Sequence, residues 1–239
     1  MSILLVTLLN DYVTLYVRMS LILRKFTDEI SKLPIRVGSV TPSQSNFIHN
    51  FLLEHIEIKQ ILETGFHIGL SAAVMLDTRP DIIVTSFDIF WFDYTRKAKL
   101  ILDIYYPKRN LLLAGNSVNS IPTFFTVFPD YKADFIFIDG GHERPVPFLD
   151  MYILFSRCKE GTWIMIDDYC EAHGIHGVIE AVNIYIENNV LINVNAYKSD
   201  DRGWILGQRS GVVVPHSELA EDSGKIMSVL QDTLSHYPT

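Results

Sequence analysis

The chain has 239 residues, 48% of them hydrophobic and 20% charged, with a net charge of −8. That suits one large domain with a full core and excludes a disordered chain. It also argues against a general binder of nucleic-acid phosphates, because the longest basic clusters are Arg24-Lys25 and Arg96-Lys97 with Lys99.

The N-terminal run MSILLVTLLNDYVTLYV breaks at Asn10-Asp11, short of the roughly 20 residues a membrane span needs. It lacks the basic start and small-residue cleavage site of a signal peptide. Leu8, Tyr12, Leu15, Met19, Ile22 and Phe26 recur at helical spacing. That predicts a buried or partner-facing helix within an N-terminal segment, residues 1–37. Pro34, Gly38 and Pro42 end the pattern, and a helix from near Ser43 carries Phe47, Ile48, Phe51 and Leu52 on one side.

Short apolar strands follow at 60–64, 82–88, 111–115, 134–139 and 162–167, separated by helical lengths such as 70–77 and 148–158. Strands without polar alternation are buried on both faces, and helices between them imply parallel crossovers. The expected fold is a Rossmann-like, doubly wound α/β sheet of seven strands with helices on both faces. Its last two strands, 190–197 and 204–208, should form an antiparallel pair about the turn Asp200-Asp201-Arg202-Gly203. This domain is expected over 38–214. A helical tail, 215–239, would follow, with Ser217 as its N-cap and Leu219, Ile226, Val229 and Leu230 as its apolar positions. Both ends suit packing on the core, a homodimer seam or a cover for the site. Cys158 and Cys170 have neither metal nor redox spacing and read as reduced thiols of a cytoplasmic protein.

The strand ends carry the chemistry. In LETGFHIGLSA, Gly65 and Gly69 allow a tight turn and close approach of backbone to a ligand. Their G-x-x-x-G spacing differs from the G-x-G-x-x-G of dinucleotide proteins, and two glycines would also serve an ordinary turn. Asp88 ends the second strand, where a carboxylate can receive both hydroxyls of a ribose or cap a helix. Asn116 and Ser117 end the third and can meet a purine edge. The three together point to a nucleoside-type ligand.

Asp139 ends the fourth strand and Asp167-Asp168 the fifth. Neighbouring strands lie about 4.8 Å apart, so these carboxylates can converge and repel one another. A divalent ion resolves that repulsion: Mg²⁺, with Mn²⁺ or Ca²⁺ as alternatives. Helix capping is the plainer reading of the same residues. His142, on a loop freed by Gly140-Gly141, can take a proton from a hydroxyl held by the ion. His173, His176 and Asp139 are alternative bases, and His67 faces cofactor or solvent.

In the order TPSQ, ILETGFHIGLSA, SFD, AGNS, DFIFIDGGH, GTWIMIDDY, the sequence resembles the class I S-adenosylmethionine-dependent methyltransferases. Within them it is similar to the metal-dependent O-methyltransferases of the catechol type and those acting on sugars of antibiotics and glycans. The resemblance covers about residues 38–210. It implies that Glu63, Gly65, His67, Gly69 and Ser71 wrap the methionine part of the cofactor, with Thr41 near its carboxylate. Asp88 would hold the ribose, and Asn116 and Ser117 would border the adenine. Asp139, Asp167 and Asp168 match the metal ligands. His142 stands where the catechol enzymes carry a lysine base, which favours the sugar-directed branch.

The expectation is therefore a methyl transfer to a hydroxyl of a small acceptor, a sugar of a glycan or glycoconjugate. Rival readings are a catechol-like or natural-product O-methyltransferase, a related hydroxylase-like enzyme, and a non-catalytic cofactor-binding module. An RNA methyltransferase is opposed by the acidic charge.

Overall fold

The computed structural model describes residues 20–35, 39–171, 176–199, 202–211 and 213. Helices α1 (Leu21–Ile30) and α2 (Pro42–Glu54) lead into β1 (Gln60–Thr64). There follow α3 (Leu70–Thr78), β2 (Ile83–Asp88), α4 (Asp93–Tyr105), β3 (Asn110–Ala114), α5 (Ser117–Val127), β4 (Phe135–Ile138), α6 (Val146–Phe155) and β5 (Trp163–Ile166). Then come α7 (His176–Glu187), β6 (Leu191–Ser199) and β7 (Arg202–Arg209).

The strands form one seven-stranded sheet in the order β3-β2-β1-β4-β5-β7-β6. β7 runs antiparallel to both β5 and β6, and the other neighbouring pairs are parallel. The doubly wound sheet with an antiparallel C-terminal pair is thus observed.

Its apolar strands follow from the layers on either side. Successive side chains of a strand point to opposite faces. Ile61, Phe135, Phe137 and Met165 join the core beneath α1 to α4. Leu62, Ile136, Ile138, Ile164 and Ile166 join the core beneath α5, α6 and α7. All four residues of β4 are buried, which is why that segment shows no polar alternation. Each such side chain contributes roughly 1.5–3 kcal/mol by leaving water.

The helical seam expected from Leu8 to Phe26 is interrupted within the described residues. Ser20 has extended backbone and its hydroxyl accepts from Leu23 N at 3.1 Å, so a helix starts afresh there. Leu8, Tyr12, Leu15, Met19 and the tail residues Ser217, Leu219, Ile226, Val229 and Leu230 lie outside the described residues. No helix among the described residues is long and apolar enough to cross a membrane.

Crossovers from β1 go one way to β2 and β3, and the chain then returns to place β4 on the other side of β1. That reversal opens a crevice at the carboxyl ends of β1 and β4, where ligands bind in such sheets.

Candidate active site

A cavity of about 380 Å³ lies at this switch point. The β1–α3 turn forms one wall. Gly65 has φ +84°, and a Cβ there would fall 1.7 Å from the Asp139 carbonyl oxygen, so only glycine lets the two strand ends meet. Gly69 has φ +72° and starts α3. His67, at φ +51°, lines the cavity.

Asp88 ends β2 with a backbone N–H on each oxygen. His67 N donates to Oδ2 at 2.7 Å and Phe90 N to Oδ1 at 2.6 Å. These bonds fix the carboxylate and leave lone pairs free for hydroxyl donors. His67 Nε2 lies 2.8 Å from Tyr94 Oη. Burial lowers the His67 pKa against the opposing pull of Asp88, so a neutral ring suits this wall.

Glu63 and Thr41 fall elsewhere than expected, because neither lines the cavity. Glu63 is fully buried beneath the loop, where the hydroxyls of Ser71 and Ser86 donate to its two oxygens. Burial first, with Asp88 adding, pushes it up to about 7. Its carboxyl ties β1 to α3 and β2 and supports the loop from below. The Thr41 hydroxyl serves as the N-cap of α2, accepting from Gln44 N at 3.2 Å, while Ser39 and Val40 reach the cavity. Ser71 reaches it too, although its hydroxyl serves Glu63. Asn116 caps α5 by accepting from Val118 N at 3.0 Å, and both Asn116 and Ser117 line the cavity.

The ends of β4 and β5 collect negative charge. Asp139, His142 and Asp168 each offer a ligand atom, all within 4.8 Å of one another. Asp168 sits at φ +58°, a strained conformation for a non-glycine residue that recurs at functional sites. His142 Nε2 lies 2.7 Å from its Oδ2 and Arg202 Nη1 3.1 Å from its Oδ1.

Burial and its acidic neighbours Asp167 and Asp168 raise the Asp139 pKa well above the usual range. For Asp168 burial pulls the same way, but His142 and Arg202 outweigh it and hold the group low. The Asp168 carboxylate in turn raises the His142 pKa, against a smaller loss from burial.

Asp167, expected among the metal ligands, is outside this three-residue group. Its Oδ1 receives Gln44 Nε2 and, at 2.8 Å, the backbone N–H of Asp168. Burial, then Asp168, pushes it up to about 6. His173 lies outside the described residues, and His176 is exposed at the start of α7.

Gln44, Arg202 and Asp150 were not singled out by the sequence. Gln44 had one signal, its place in the TPSQ capping box. Asp150 had another, as the lone carboxylate in the otherwise apolar α6.

The sheet order, the glycine-turned crevice at β1 and the strand-end carboxylates define the class I, S-adenosylmethionine-dependent methyltransferase architecture. Residues 62–169 match the family model described as a methyltransferase domain. Solved structures share its fold at low identity. A putative O-methyltransferase from Klebsiella pneumoniae is 16% identical with a TM-score of 0.70, over 84% of this chain and 96% of that one. An O-methyltransferase from Bacillus cereus in complex with S-adenosylhomocysteine is 15% identical with a TM-score of 0.67, over 80% and 91%. One from Streptomyces achromogenes involved in tomaymycin synthesis, in complex with S-adenosylmethionine, is 15% identical with a TM-score of 0.66, over 84% and 96%. No curated protein sequence matches the chain significantly.

Proposed function

We propose that this chain binds S-adenosylmethionine and, with a divalent cation, methylates a hydroxyl of a small acceptor, a sugar of a glycan or glycoconjugate. The observation that carries this reading is the meeting of Asp139, His142 and Asp168 within 4.8 Å beside the cavity. Relatives in fold that are solved with S-adenosylhomocysteine or S-adenosylmethionine support the choice of cofactor.

The residues fit both groups. The loop at Gly65 gives the backbone approach that a methionine moiety needs. Asp88, held from behind by two N–H groups, presents acceptors for ribose hydroxyls. Asn116 and Ser117 border the base. When bound, the sulfonium supplies an electrophilic methyl group.

Asp139 and Asp168 would hold the cation, which supplies Lewis-acid stabilisation of an alkoxide. Mg²⁺ prefers oxygen ligands, which leaves the His142 imidazole free to accept the proton of the acceptor hydroxyl. Asp168 orients that ring through the 2.7 Å contact, and Gln44 fixes Asp167 behind it. The sugar-directed reading rests on His142 replacing the lysine of catechol enzymes.

A methyl-transfer assay with glycosides and catechols as acceptors tests this. Transfer to a glycoside, abolished by EDTA and restored by Mg²⁺, is the expected result. Transfer in chelator would remove the cation, and a preference for catechols would remove the sugar.

A further inference from the structure

β3 ends the sheet on one side, and among the described residues no strand pairs with its outer edge. The backbone shows which groups face that way. Val84 N donates to Arg109 O at 3.0 Å, and Gly115 N donates to Asp88 O at 2.8 Å. Every second residue of a strand turns its N–H and C=O to the same neighbour. Residues 109, 111, 113 and 115 therefore serve β2, and Asn110, Leu112 and Ala114 turn theirs outward. Open edges of this kind are usually blunted by a lysine, a proline or a bulge. The strand reads NLLLA and has neither lysine nor proline, and its pairing with β2 runs without a bulge. Leu111 instead is 44% exposed, and the helices on the two faces of β3 add exposed apolar residues, Leu100 and Ile104 on α4 and Val127 and Phe128 at the end of α5.

We propose that this edge is the docking surface for a second copy of the chain, the two β3 strands pairing antiparallel about a two-fold axis at Leu112. The inference is independent of the reaction proposed above. In this register the edge is self-complementary. Leu112 meets Leu112 of the second copy, and on each side of the axis Asn110 meets Ala114. These three pairs exchange about six backbone hydrogen bonds. The exposed Leu111 falls opposite Leu113 of the second copy, on the face that packs beneath α5. Charge permits the contact as well. Each copy carries a net charge of −8, so two copies repel at long range, but no charged residue lies within β3. Beyond its ends the register sets Arg109 against Gly115 and Lys108 against Asn116, so like charges do not face each other. The Arg109 guanidinium is turned inward, donating to the carbonyls of Leu76, Arg79 and Ile82.

Sedimentation velocity of the full chain tests this. The wild type should run as a dimer, at twice 27.3 kDa, and dissociate on dilution. Leu111→Lys sets a cation on the seam, as protected edge strands do, and should run as a monomer where the wild type is dimeric. A melting curve close to that of the wild type shows that the variant is folded. Hydrogen exchange over residues 110–114 of the wild type needs no variant: the outward amides should be slow in the dimer and fast once it is diluted to the monomer. A wild type that is monomeric at every concentration overturns the proposal and leaves the edge to another segment or partner. So does a dimer that survives Leu111→Lys, or one whose β3 amides exchange as fast as those of the monomer.

Discussion

At the end of β2, Asp88 has a backbone N–H on each of its oxygens. At the ends of β4 and β5, three carboxylates share one histidine, one arginine and one glutamine. The wall at Asp88, the proposed ribose wall, is complete as it stands: its single charge is fixed by the backbone amides of His67 and Phe90. The acidic wall holds charge that its own residues only partly offset, as the raised Asp139 and the lowered Asp168 record. On the function proposed above, one wall would receive the ribose hydroxyls and the other a cation. Breaking each should therefore produce a different kind of loss.

The largest expected effect lies on the acidic wall. His142→Gln should lower the maximal rate by roughly 10²–10⁴ while leaving S-adenosylhomocysteine affinity almost unchanged. Steady-state kinetics beside calorimetry separates the two quantities. A loss of affinity without a loss of rate would erase the division between the walls.

On the ribose wall the loss should be one of binding. Asp88→Ala removes charge-assisted hydrogen bonds worth roughly 1.5–3 kcal/mol, so S-adenosylhomocysteine affinity should fall about ten- to a hundredfold. The variant also frees the N–H groups of His67 and Phe90, so the folded state is to be verified by its melting curve. Unchanged affinity would take Asp88 out of the site.

A cation alone should sharpen the contrast. At ten to a hundred times its Kd, Mg²⁺ should stabilise the wild type by about 1.4–2.7 kcal/mol. The shift should disappear in Asp168→Asn and persist in Asp88→Ala. Melting curves with and without the ion read this directly. Equal shifts in all three proteins would mean that the ion binds elsewhere.

The two walls differed in how far the sequence revealed them. β4 and β5 were legible because strands covered on both faces are apolar throughout, and the change to aspartate marks where the covering ends. The glycine turn was legible because Gly65 has no room for a side chain. Which of Asp167 and Asp168 joins Asp139 and His142 was not. That choice depends on the left-handed backbone at Asp168 and on Gln44, 123 residues away, capturing its neighbour. Arg202 was hidden for the same reason, since its contact with Asp168 spans 34 residues. Thr41 was ambiguous because a hydroxyl ahead of a helix serves as a cap as readily as a ligand contact.

Glu63 offers the finest test, because it is buried beneath the proposed ribose wall and does not line the cavity. Its carboxyl is fully buried with a pKa of about 7 against an ordinary 4.5. Between those values the native state holds a proton that the unfolded chain has released. Stability must then fall as pH rises through that window, by at most 1.36 kcal/mol per pH unit for this group. Glu63→Gln abolishes the titration and keeps partners for the hydroxyls of Ser71 and Ser86. The variant should melt close to the wild type near pH 5 and gain on it by on the order of 1–2 kcal/mol near pH 8. Asp150, raised to a similar value, remains in both proteins, so only the difference between the two curves reports on Glu63. Parallel curves would mean that Glu63 is ionised in the native protein. The proposed ribose wall would then carry a buried charge beneath the half-buried Asp88, and its contrast with the acidic wall would narrow.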